Sequence, residues 1–588
     1  MMIYFFRPGV FRRLTLQCAA FFIVAYAAAP PLQAQDRRSH PLWEANEELL
    51  AEGIDVEVYS SERLYLLSPD GQSIAAYVEP ETGEPGILQV NGQQVGEPYT
   101  PDGKPGFMSF SPDGKRIAVH EKVNPATERL VVDGKPDPEF REVQLYHGEY
   151  INIFSDDSKH MAYVGIARDY SRRLMVNGKS LYGDEELPRI KHFEIGPDGS
   201  LFYMQIDGGD DRSFTTKFGG KVLVKHPFAH FVDKSTVFSP DGKRIAYAVE
   251  IRTIGDANAR EFAYVVDGKV EAERFDQVAG FKFNQDGSSY AYLGLRGWEM
   301  RAVRDGKPGK PFTRISDHAR WHHLEFCPNG KRTVFYAATE DSRDKHPVVD
   351  DVLCPPITKS IGDHRFCFSG DSKDFAYIGQ AEKRLNQMIL NGKPVGQASR
   401  RLIFPGSFTG SKQDQLLFAV QDGPWHLIQN DKTVVKYPGI HNIVVSPDAK
   451  RTAVAVVVDR DEHYVILDGV KGKAYTRIDP GSLTFSADSS TLAYTASRMQ
   501  LDRPVTVRVI GDQEHGTTQP SLPFTLSEDG AHFYYKGHRG NEGYWIDGLR
   551  IRKGLEPYAW PPKSIDRKTV TYLARDGDKL YRVTHKFK

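Results

Sequence analysis

One ten-residue phrase occurs twice in this chain with a single substitution. Residues 110–119 read FSPDGKRIAV, and residues 238–247 read FSPDGKRIAY. Looser copies, recognised by the acidic residue of the phrase, extend from Asp70 to Asp529. Up to Asp371, successive copies lie 41 to 45 residues apart. A repeat of this length is typical of four-stranded propeller blades.

The phrase has the composition of a tight turn between two strands. Its Ser-Pro-Asp-Gly core favours a type I turn, because Ser bonds the backbone, Pro sets φ and Gly closes the turn. Apolar residues such as Phe238 and Ile245 flank the turn and predict buried strands. About 20 residues later, an Asp-Gly or Asn-Gly pair predicts a second hairpin, as at Asp133 and Asn177. Two hairpins per unit predict one four-stranded blade.

The repeats therefore predict an all-β chain of about 12–13 four-stranded blades of ~42 residues. Because one propeller usually has four to eight blades, we expect two propellers in tandem. We place the first at 63–345 and the second at 346–588, since the repeat is most disturbed between 338 and 361. Pairing of residues 569–573 with residues 56–66 would close the ring.

The N-terminal region has two further predicted parts. Residues 1–34 have the features of a secretory signal: arginines precede an apolar segment, and Leu32-Gln33-Ala34 is an acceptable cleavage site. The alternative is an uncleaved membrane anchor, although the apolar segment is short for a spanning helix. Residues 35–62 form a lead-in, in which residues 41–50 predict a short helix with Pro near its start. We expect a periplasmic or secreted protein that does not insert into the membrane after cleavage.

Charge and cysteine content exclude some classes of partner. The chain of 588 residues has a formal charge of −1, and removal of residues 1–34 leaves −4 because they hold three arginines and no acidic residue. This balance does not suggest a nucleic-acid partner.

The remaining cysteines are Cys327, Cys354 and Cys367. In an oxidising compartment Cys354 and Cys367 form a disulfide, or all three are buried thiols.

With these turns and strands, the repeat resembles the WD40-like propeller repeat of bacterial envelope proteins, as found in the propeller half of TolB. The resemblance extends from Leu67 to Tyr572. It implies a propeller fold and a role in docking partners. It does not imply a particular activity, because turn and core residues define the motif.

The sequence contains no nucleophile elbow, phosphate-binding loop or His-Glu-x-x-His motif. Our leading hypothesis is therefore an exported, non-enzymatic binding or scaffold module without a cofactor, which binds a protein or carbohydrate at a propeller face. Trp298, Trp321 and Trp425 are the candidate binding residues, because exposed Trp side chains suit sugar stacking or peptide capture. The alternative role of these residues is packing between blades.

The alternative function is a metal-dependent polysaccharide lyase. Several histidines lie just before a copy of the phrase, where the chain enters the next blade: His147, His192, His230, His318, His322, His323, His364 and His441. Among them, His318, His322 and His364 are the candidate ligands of a divalent transition metal. Oligogalacturonate lyases, which are similar TolB-like propellers, hold a metal in this way. Scattered surface histidines would explain the same positions.

Overall fold

Antiparallel sheets follow one another along the whole described chain and form the blades of a β-propeller. The computed structural model describes residues 39–587 apart from these gaps: 41–42, 52–64, 70–72, 79–85, 99–104, 145–152, 182–189, 207–212, 227–228, 253–259, 316–323, 340–343, 358–365, 383–384, 411, 517–523, 538–542, 548, 552–555, 558–562, 567 and 577–578. In this part of the chain there are thirteen sheets and no α-helix.

The first strands belong to the last blade, and blades 1 to 6 follow in chain order. The N-terminal strands are β1 Ser39–His40 and β2 Trp43–Ala51. Blade 1 contains β3 Tyr65–Leu67, β4 Ile74–Val78, β5 Ile87–Val90 and β6 Gln93–Gln94. Blade 2 contains β7 Pro105–Phe110, β8 Ile117–Asn124, β9 Thr127–Val132 and β10 Lys135–Pro136. Blade 3 contains β11 Glu142–Gln144, β12 Ala162–Ile166, β13 Arg172–Val176 and β14 Lys179–Ser180. Blade 4 contains β15 Ile190–Ile195, β16 Leu201–Ile206, β17 Phe214–Phe218 and β18 Lys221–His226. Blade 5 contains β19 Ala229–Phe231, β20 Val237–Phe238, β21 Ile245–Arg252, β22 Arg260–Val266 and β23 Lys269–Val270. Blade 6 contains β24 Gln277–Phe283, β25 Tyr290–Arg296, β26 Glu299–Arg304, β27 Lys307–Pro308 and β28 Phe312–Thr313.

Blades 7 to 13 continue the series to the C-terminal strand. Blade 7 contains β29 Leu324–Phe326, β30 Thr333–Ala337, β31 His346–Val349 and β32 Val352–Leu353. Blade 8 contains β33 Cys367–Phe368, β34 Phe375–Gln380, β35 Asn386–Leu390 and β36 Lys393–Ser399. Blade 9 contains β37 Leu402–Ile403, β38 Leu417–Gln421, β39 Trp425–Gln429 and β40 Lys432–Tyr437. Blade 10 contains β41 Gly439–Val445, β42 Thr452–Asp459, β43 Glu462–Leu467 and β44 Val470–Lys471. Blade 11 contains β45 Arg477–Ile478, a 3-10 turn Pro480–Ser482, β46 Thr484–Phe485, β47 Leu492–Gln500, β48 Arg503–Ile510 and β49 Gln513–Gly516. Blade 12 contains β50 Thr525–Leu526, β51 Phe533–Gly537, β52 Gly543–Ile546 and β53 Leu549–Arg550. Blade 13 contains β54 Glu556–Pro557, β55 Lys563–Asp566, β56 Thr569–Asp576 and β57 Lys579–Phe587.

Apolar side chains from neighbouring blades form shared cores. Between blades 5 and 6, for example, Tyr264 packs with Phe281 and Tyr292. Both faces of the central strands are covered, which is why these strands are apolar over their whole length rather than alternating. The same arrangement joins blades 7 and 8 through Val349 and Tyr377.

The structure does not confirm a division into two tandem propellers at residue 345. The predicted boundary falls inside blade 7, immediately before strand β31. Blade 7 packs on blade 8 with a core like those of the other blade pairs, so its four strands belong to one continuous series of blades. Of the charged and Pro-containing sequence near β31, the described residues 344–345 and 354–356 lie outside the strands.

The short helix predicted over residues 41–50 is wrong, because Trp43–Ala51 is strand β2. This strand pairs antiparallel with β57 and supplies the fourth main strand of blade 13. Its Glu48 accepts a hydrogen bond from Arg582 at 3.1 Å. The long-range ladder with β57 outweighs the local helix preference. A strand from the N-terminus thus completes the last blade, although we predicted residues 56–66 for this role, of which 56–64 lie outside the described residues.

The last blade also touches the first. A Cβ atom built on Gly92 of blade 1 would lie 2.7 Å from the backbone oxygen of Leu50 in β2. Leu50 is fully buried. Blade 13 therefore packs on blade 1 and closes the series of blades, and strands from both ends of the described chain pair in blade 13.

The repeated phrase forms the predicted turn, held by its Ser and Asp side chains. In blade 5, the hydroxyl of Ser239 donates to Asp241 Oδ1 at 2.6 Å and accepts the N–H of Arg244 at 2.9 Å. Asp241 Oδ1 also accepts the N–H of Lys243, and these hydrogen bonds lower the pKa of Asp241. Ser239 is fully buried. These hydrogen bonds fix the backbone conformation of the turn that the phrase forms.

The arginine of the phrase connects the two turns of one blade with the turn of the next blade. Arg244 Nε donates to Asp267 of the Asp-Gly turn at 2.8 Å, while its Nη1 donates to the backbone oxygen of Gly287 in blade 6. The guanidinium also lies 5.1 Å from the ring centre of Phe283 in blade 6. The same three kinds of contact occur at Arg116, Arg332 and Arg451. The contacts are charge-assisted and fix the spacing of adjacent blades.

All three described cysteines are free thiols. Cys327 occupies the Ser position of the phrase in blade 7, where its sulfur donates to Asn329 and accepts the N–H of Arg332. Burial raises the pKa of the Cys354 thiol to about 11 and that of Cys367 to about 12. Cys327 and Cys354 are buried and Cys367 is half-buried, so the structure agrees with free thiols and not with a Cys354–Cys367 disulfide.

We expect Ser239→Ala to lower the free energy of unfolding by about 1–2 kcal/mol, because the N–H of Arg244 and the carboxylate of Asp241 both lose a buried partner. Cys327→Ser restores the consensus turn and should change stability by less than about 1 kcal/mol. Urea unfolding followed by fluorescence measures both. Equal effects of the two substitutions would contradict the role given to the Ser hydroxyl.

Stability should also depend on pH through two buried histidines. Burial lowers the pKa of His226, which hydrogen-bonds with Tyr247 at 2.8 Å, and that of His585 to about 4 each, from 6.5. Between pH 6.5 and 4 the unfolded chain binds protons that the folded chain does not, so stability is greatest above pH 6.5 and decreases on acidification. Thermal unfolding from pH 7.5 to 4.5 checks this. His226→Gln should make the decrease less steep, and an unchanged slope would refute the assignment.

Candidate functional site

The alternation of strand direction places the loops of every blade on two opposite faces. The phrase turn and the Asp-Gly turn share one face, which we name the turn face; the contact between Arg244 and Asp267 joins them there. The turns between second and third main strands share the other face with the segments that cross to the next blade. We name this second face the crossing face.

The two faces differ in the use of their side chains. On the turn face, the repeated Ser, Asp and Arg residues are engaged in contacts within and between blades, as at Ser239, Asp241 and Arg244. On the crossing face, the loops differ from blade to blade. They expose Tyr170, Trp298 and Leu501, with 68%, 56% and 92% of their surfaces accessible. Variable loops with exposed large side chains are typical of recognition surfaces.

A cleft of about 500 Å³ opens on the crossing face between blades 8, 9 and 10. It is lined by Asn386, Arg400, Arg401, Leu402, Ile403, Trp425, Ile440 and His441. Arg400 and Arg401 come from the crossing segment before β37, and the other residues come from the beginnings of strands β35, β37, β39 and β41. The cleft is therefore built where these strands begin on the crossing face, and not by the repeated phrase.

Hydrogen bonds hold the segment that carries the two arginines. Asn386 Nδ2 donates to the backbone oxygen of Arg400 at 3.3 Å. The hydroxyl of Ser399 accepts the N–H of Arg401 and donates to the backbone oxygen of Gln421. The backbone oxygen of Arg401 in turn accepts the N–H of Gln421. The backbone is thus fixed, while both guanidinium side chains are exposed.

His441 forms the opposite side of the cleft at an irregularity of strand β41. Ile440 pairs with Val456 and Asn442 with Ala455, so His441 is an extra residue in the ladder. Such a bulge changes the direction of a side chain. Partial burial lowers the pKa of His441, and the nearby His463, whose ring centre is 6.1 Å away, lowers it further. His441 is therefore a neutral hydrogen-bonding group at pH 7.

The electrostatic character of the cleft is cationic. Arg400 and Arg401 are both exposed, and among the described residues no carboxylate forms an ion pair with either. None of the described residues that line the cleft is acidic. A site with paired guanidinium groups and no acid favours an anionic ligand, because guanidinium forms bidentate hydrogen bonds with carboxylate or phosphate.

The two described Trp candidates have different environments. Trp298 lies on the crossing face between β25 and β26, where Arg314 stacks over its ring at 4.8 Å. Trp425 is 7% exposed and packs with Ile440 and Tyr464 between blades 9 and 10, so only part of it lines the cleft. Trp321 lies outside the described residues.

The candidate metal ligands His318, His322 and His364 lie outside the described residues, as do His147 and His323. Of the other histidines before a phrase, His192 is buried and hydrogen-bonds with Glu194, while His441 lines the cleft. Within the described residues no group of three His, Cys, Asp or Glu side chains is arranged to hold a metal ion. The metal-binding hypothesis for these three histidines stays a prediction.

Sequence reasoning missed Arg400 and Arg401. Their signal is weak but present: two adjacent basic residues stand directly before the eroded repeat copy of blade 9, in a crossing segment. The partner groups Asn386 and His441 come from residues 14 and 41 positions away along the chain. Only the packing of blades 8, 9 and 10 brings them together.

Comparisons with known proteins add little to this picture. No family model and no curated protein matches the chain. Among solved structures, a eukaryotic initiation factor is 12% identical over 68% of this chain and 96% of its own, with a TM-score of 0.27. The beta-propeller domain of the Trilobed protease from Pyrococcus furiosus, with an open velcro topology, is 15% identical over 50% of this chain and 98% of its own, with a TM-score of 0.22. We draw no functional argument from these likenesses.

A search of the described residues finds no helix with the length and apolar character needed to cross a membrane.

The different burial of the two Trp residues predicts different effects of their removal. Trp425→Ala should lower the free energy of unfolding by about 3–5 kcal/mol, because it leaves a cavity in the core between blades 9 and 10. Trp298→Ala should cost less than about 1 kcal/mol, since the ring is exposed. Urea titration of both variants gives these values. A large loss for Trp298→Ala would show that its ring is a packing element instead of part of the open crossing face.

Proposed function

We propose that this protein is an exported, non-enzymatic binding module that engages a partner through its crossing face. The observation that supports the proposal is the unequal use of the two faces. The repeated residues of the turn face are engaged in holding blades together, whereas the exposed aromatic side chains Tyr170 and Trp298 and the arginine-lined cleft lie on the crossing face. Function follows from what varies between otherwise similar units.

Two exposed aromatic residues on the crossing face carry a stacked arginine. Arg141 lies 4.1 Å from the ring centre of Tyr170 in blade 3, and Arg314 lies 4.8 Å from that of Trp298 in blade 6. Trp, Tyr and Arg are the side chains most enriched in binding hot spots. The rings of Trp and Tyr bury much area at a low cost in conformational entropy. The stacked guanidinium holds each ring in place before binding.

Further parts of the proposal rest on the sequence. The signal-like residues 1–34 support export to the periplasm or beyond. The repeated phrase supports membership of the WD40-like propellers of the TolB kind, whose role in docking fits a protein partner. We favour a protein over a glycan, and the cleft discussed below supplies the reason.

A crossing-face variant should lose the partner while a turn-face variant retains it. The crossing-face variant combines Tyr170→Ala, Trp298→Ala and Leu501→Ala; the matched control combines Lys115→Ala, Lys243→Ala and Lys450→Ala, which removes three exposed side chains whose surface ion pairs contribute little. The measurement is cross-linking of the tagged protein in host cells, followed by mass spectrometry of the exported fraction. We expect the crossing-face changes to abolish a specific cross-linked species.

Two results would contradict the proposal. Loss of the cross-linked species only in the turn-face control would place binding on the wrong face. Retention of the full-length chain in the cytoplasm, without cleavage near Gln35, would refute export. Circular dichroism of both variants shows whether the propeller is intact.

A further inference from the structure

We propose that the cleft between blades 8, 9 and 10 binds an acidic peptide segment of a protein partner, with its carboxylates at Arg400 and Arg401. The proposal rests on the crossing face being the binding face and names the chemistry of one contact there. The cleft volume of about 500 Å³ lies within the ~300–1,000 Å³ typical of sites that enclose a small ligand or a short chain segment.

The charge of the cleft selects an anion. Arg400 and Arg401 are exposed, and His441 on the opposite side carries no charge at pH 7 because its pKa is lowered. The cleft therefore holds two fixed positive charges in a chain whose overall charge is near zero. Complementary charge at a binding site increases the association rate of an acidic partner and fixes the register in which it binds. Its effect on the binding affinity is smaller.

The backbone of Arg400 and Arg401 is held in place before a ligand binds. The oxygens of Arg400 and Arg401 and the N–H of Arg401 are all hydrogen-bonded, to Asn386, Gln421 and Ser399. Only the side chains must be ordered on binding, which reduces the entropic cost of contact. Two guanidinium groups on successive residues present many N–H donors over a short distance, as a run of carboxylates requires.

The apolar part of the cleft favours a peptide over a sugar. Its walls include Leu402, Ile403 and Ile440, which suit an aliphatic side chain. Sugar rings pack against open aromatic faces, but the aromatic residue that lines the cleft, Trp425, is 7% exposed and has its ring committed to the core between blades 9 and 10. A segment with acidic residues next to a Leu or Ile matches both the charged and the apolar parts.

The test uses the mature chain, residues 35–588, and a fluorescein-labelled peptide of sequence Leu-Glu-Glu-Leu-Glu-Glu. Its matched control peptide has Gln in place of each Glu. We expect fluorescence anisotropy to show saturable binding of the acidic peptide, at least about tenfold weaker binding of the Gln peptide, and weakening of the acidic complex by salt.

Two protein variants locate the site. Arg400→Gln with Arg401→Gln should weaken peptide binding by about tenfold or more, because charge-assisted hydrogen bonds are lost. The control combines Arg477→Gln and Arg503→Gln, which removes the same charge from exposed arginines of blade 11 and should leave the affinity within twofold. Thermal unfolding of both variants shows that the fold is retained.

Several results would overturn the proposal. These are absence of peptide binding, equal binding of the two peptides, equal loss in both arginine variants, and tighter binding of an oligouronide than of the acidic peptide, which would assign the cleft to a glycan. If the cleft assignment fails while the crossing-face variant still loses its cross-linked partner, the proposed function stands without it. If that cross-linked species is unaffected as well, both fail.

Discussion

A guanidinium group at the end of the repeated phrase joins the two turns of one blade to the next blade, with which that blade shares no strand ladder. Arg244 reaches the Asp-Gly turn of its own blade, the backbone of the next blade and an aromatic ring in that blade. Strand pairing organises each blade, and apolar packing holds blades face to face. The arginine adds directional, charge-assisted hydrogen bonds between neighbouring blades.

The contact between the two turns of one blade survives where the arginine is replaced. In blade 12, His532 Nδ1 lies 2.7 Å from Asp547, so an imidazole takes the place of the guanidinium against the Asp-Gly turn. In blade 8 the donor and the acceptor are exchanged. Asp374 occupies the arginine position and accepts a hydrogen bond from Asn391 of the second turn. Blade 7 keeps its arginine but exchanges the buried Ser hydroxyl for the sulfur of Cys327. The position therefore requires a donor–acceptor pair between two turns and tolerates different residues that supply it.

This constraint divides the molecule into a structural face and a variable face. A residue that serves the turn network has its hydrogen-bonding groups occupied and is not available for a ligand. Among the described residues, the side-chain network of Ser, Asp and Arg belongs to the turn face, so the side chains of the crossing segments can differ without loss of that network. Arg400 and Arg401 lie in such a segment, and His441 lies at the bulge of strand β41; their convergence in one cleft follows from the packing of three successive blades.

The period of the phrase and its turn residues determined the all-β fold, the two hairpins of each blade and the series of blades along the chain. These are local properties, set by turn chemistry and strand burial within about 40 residues. The tertiary structure alone decided the features that depend on distant residues. Residues 43–51 became a strand because β57 offers an unpaired edge, which local propensity does not record. The cleft likewise depends on side chains from three blades. Arg400 and Arg401 line it only because the packing of these blades places Trp425, Ile440 and His441 beside them.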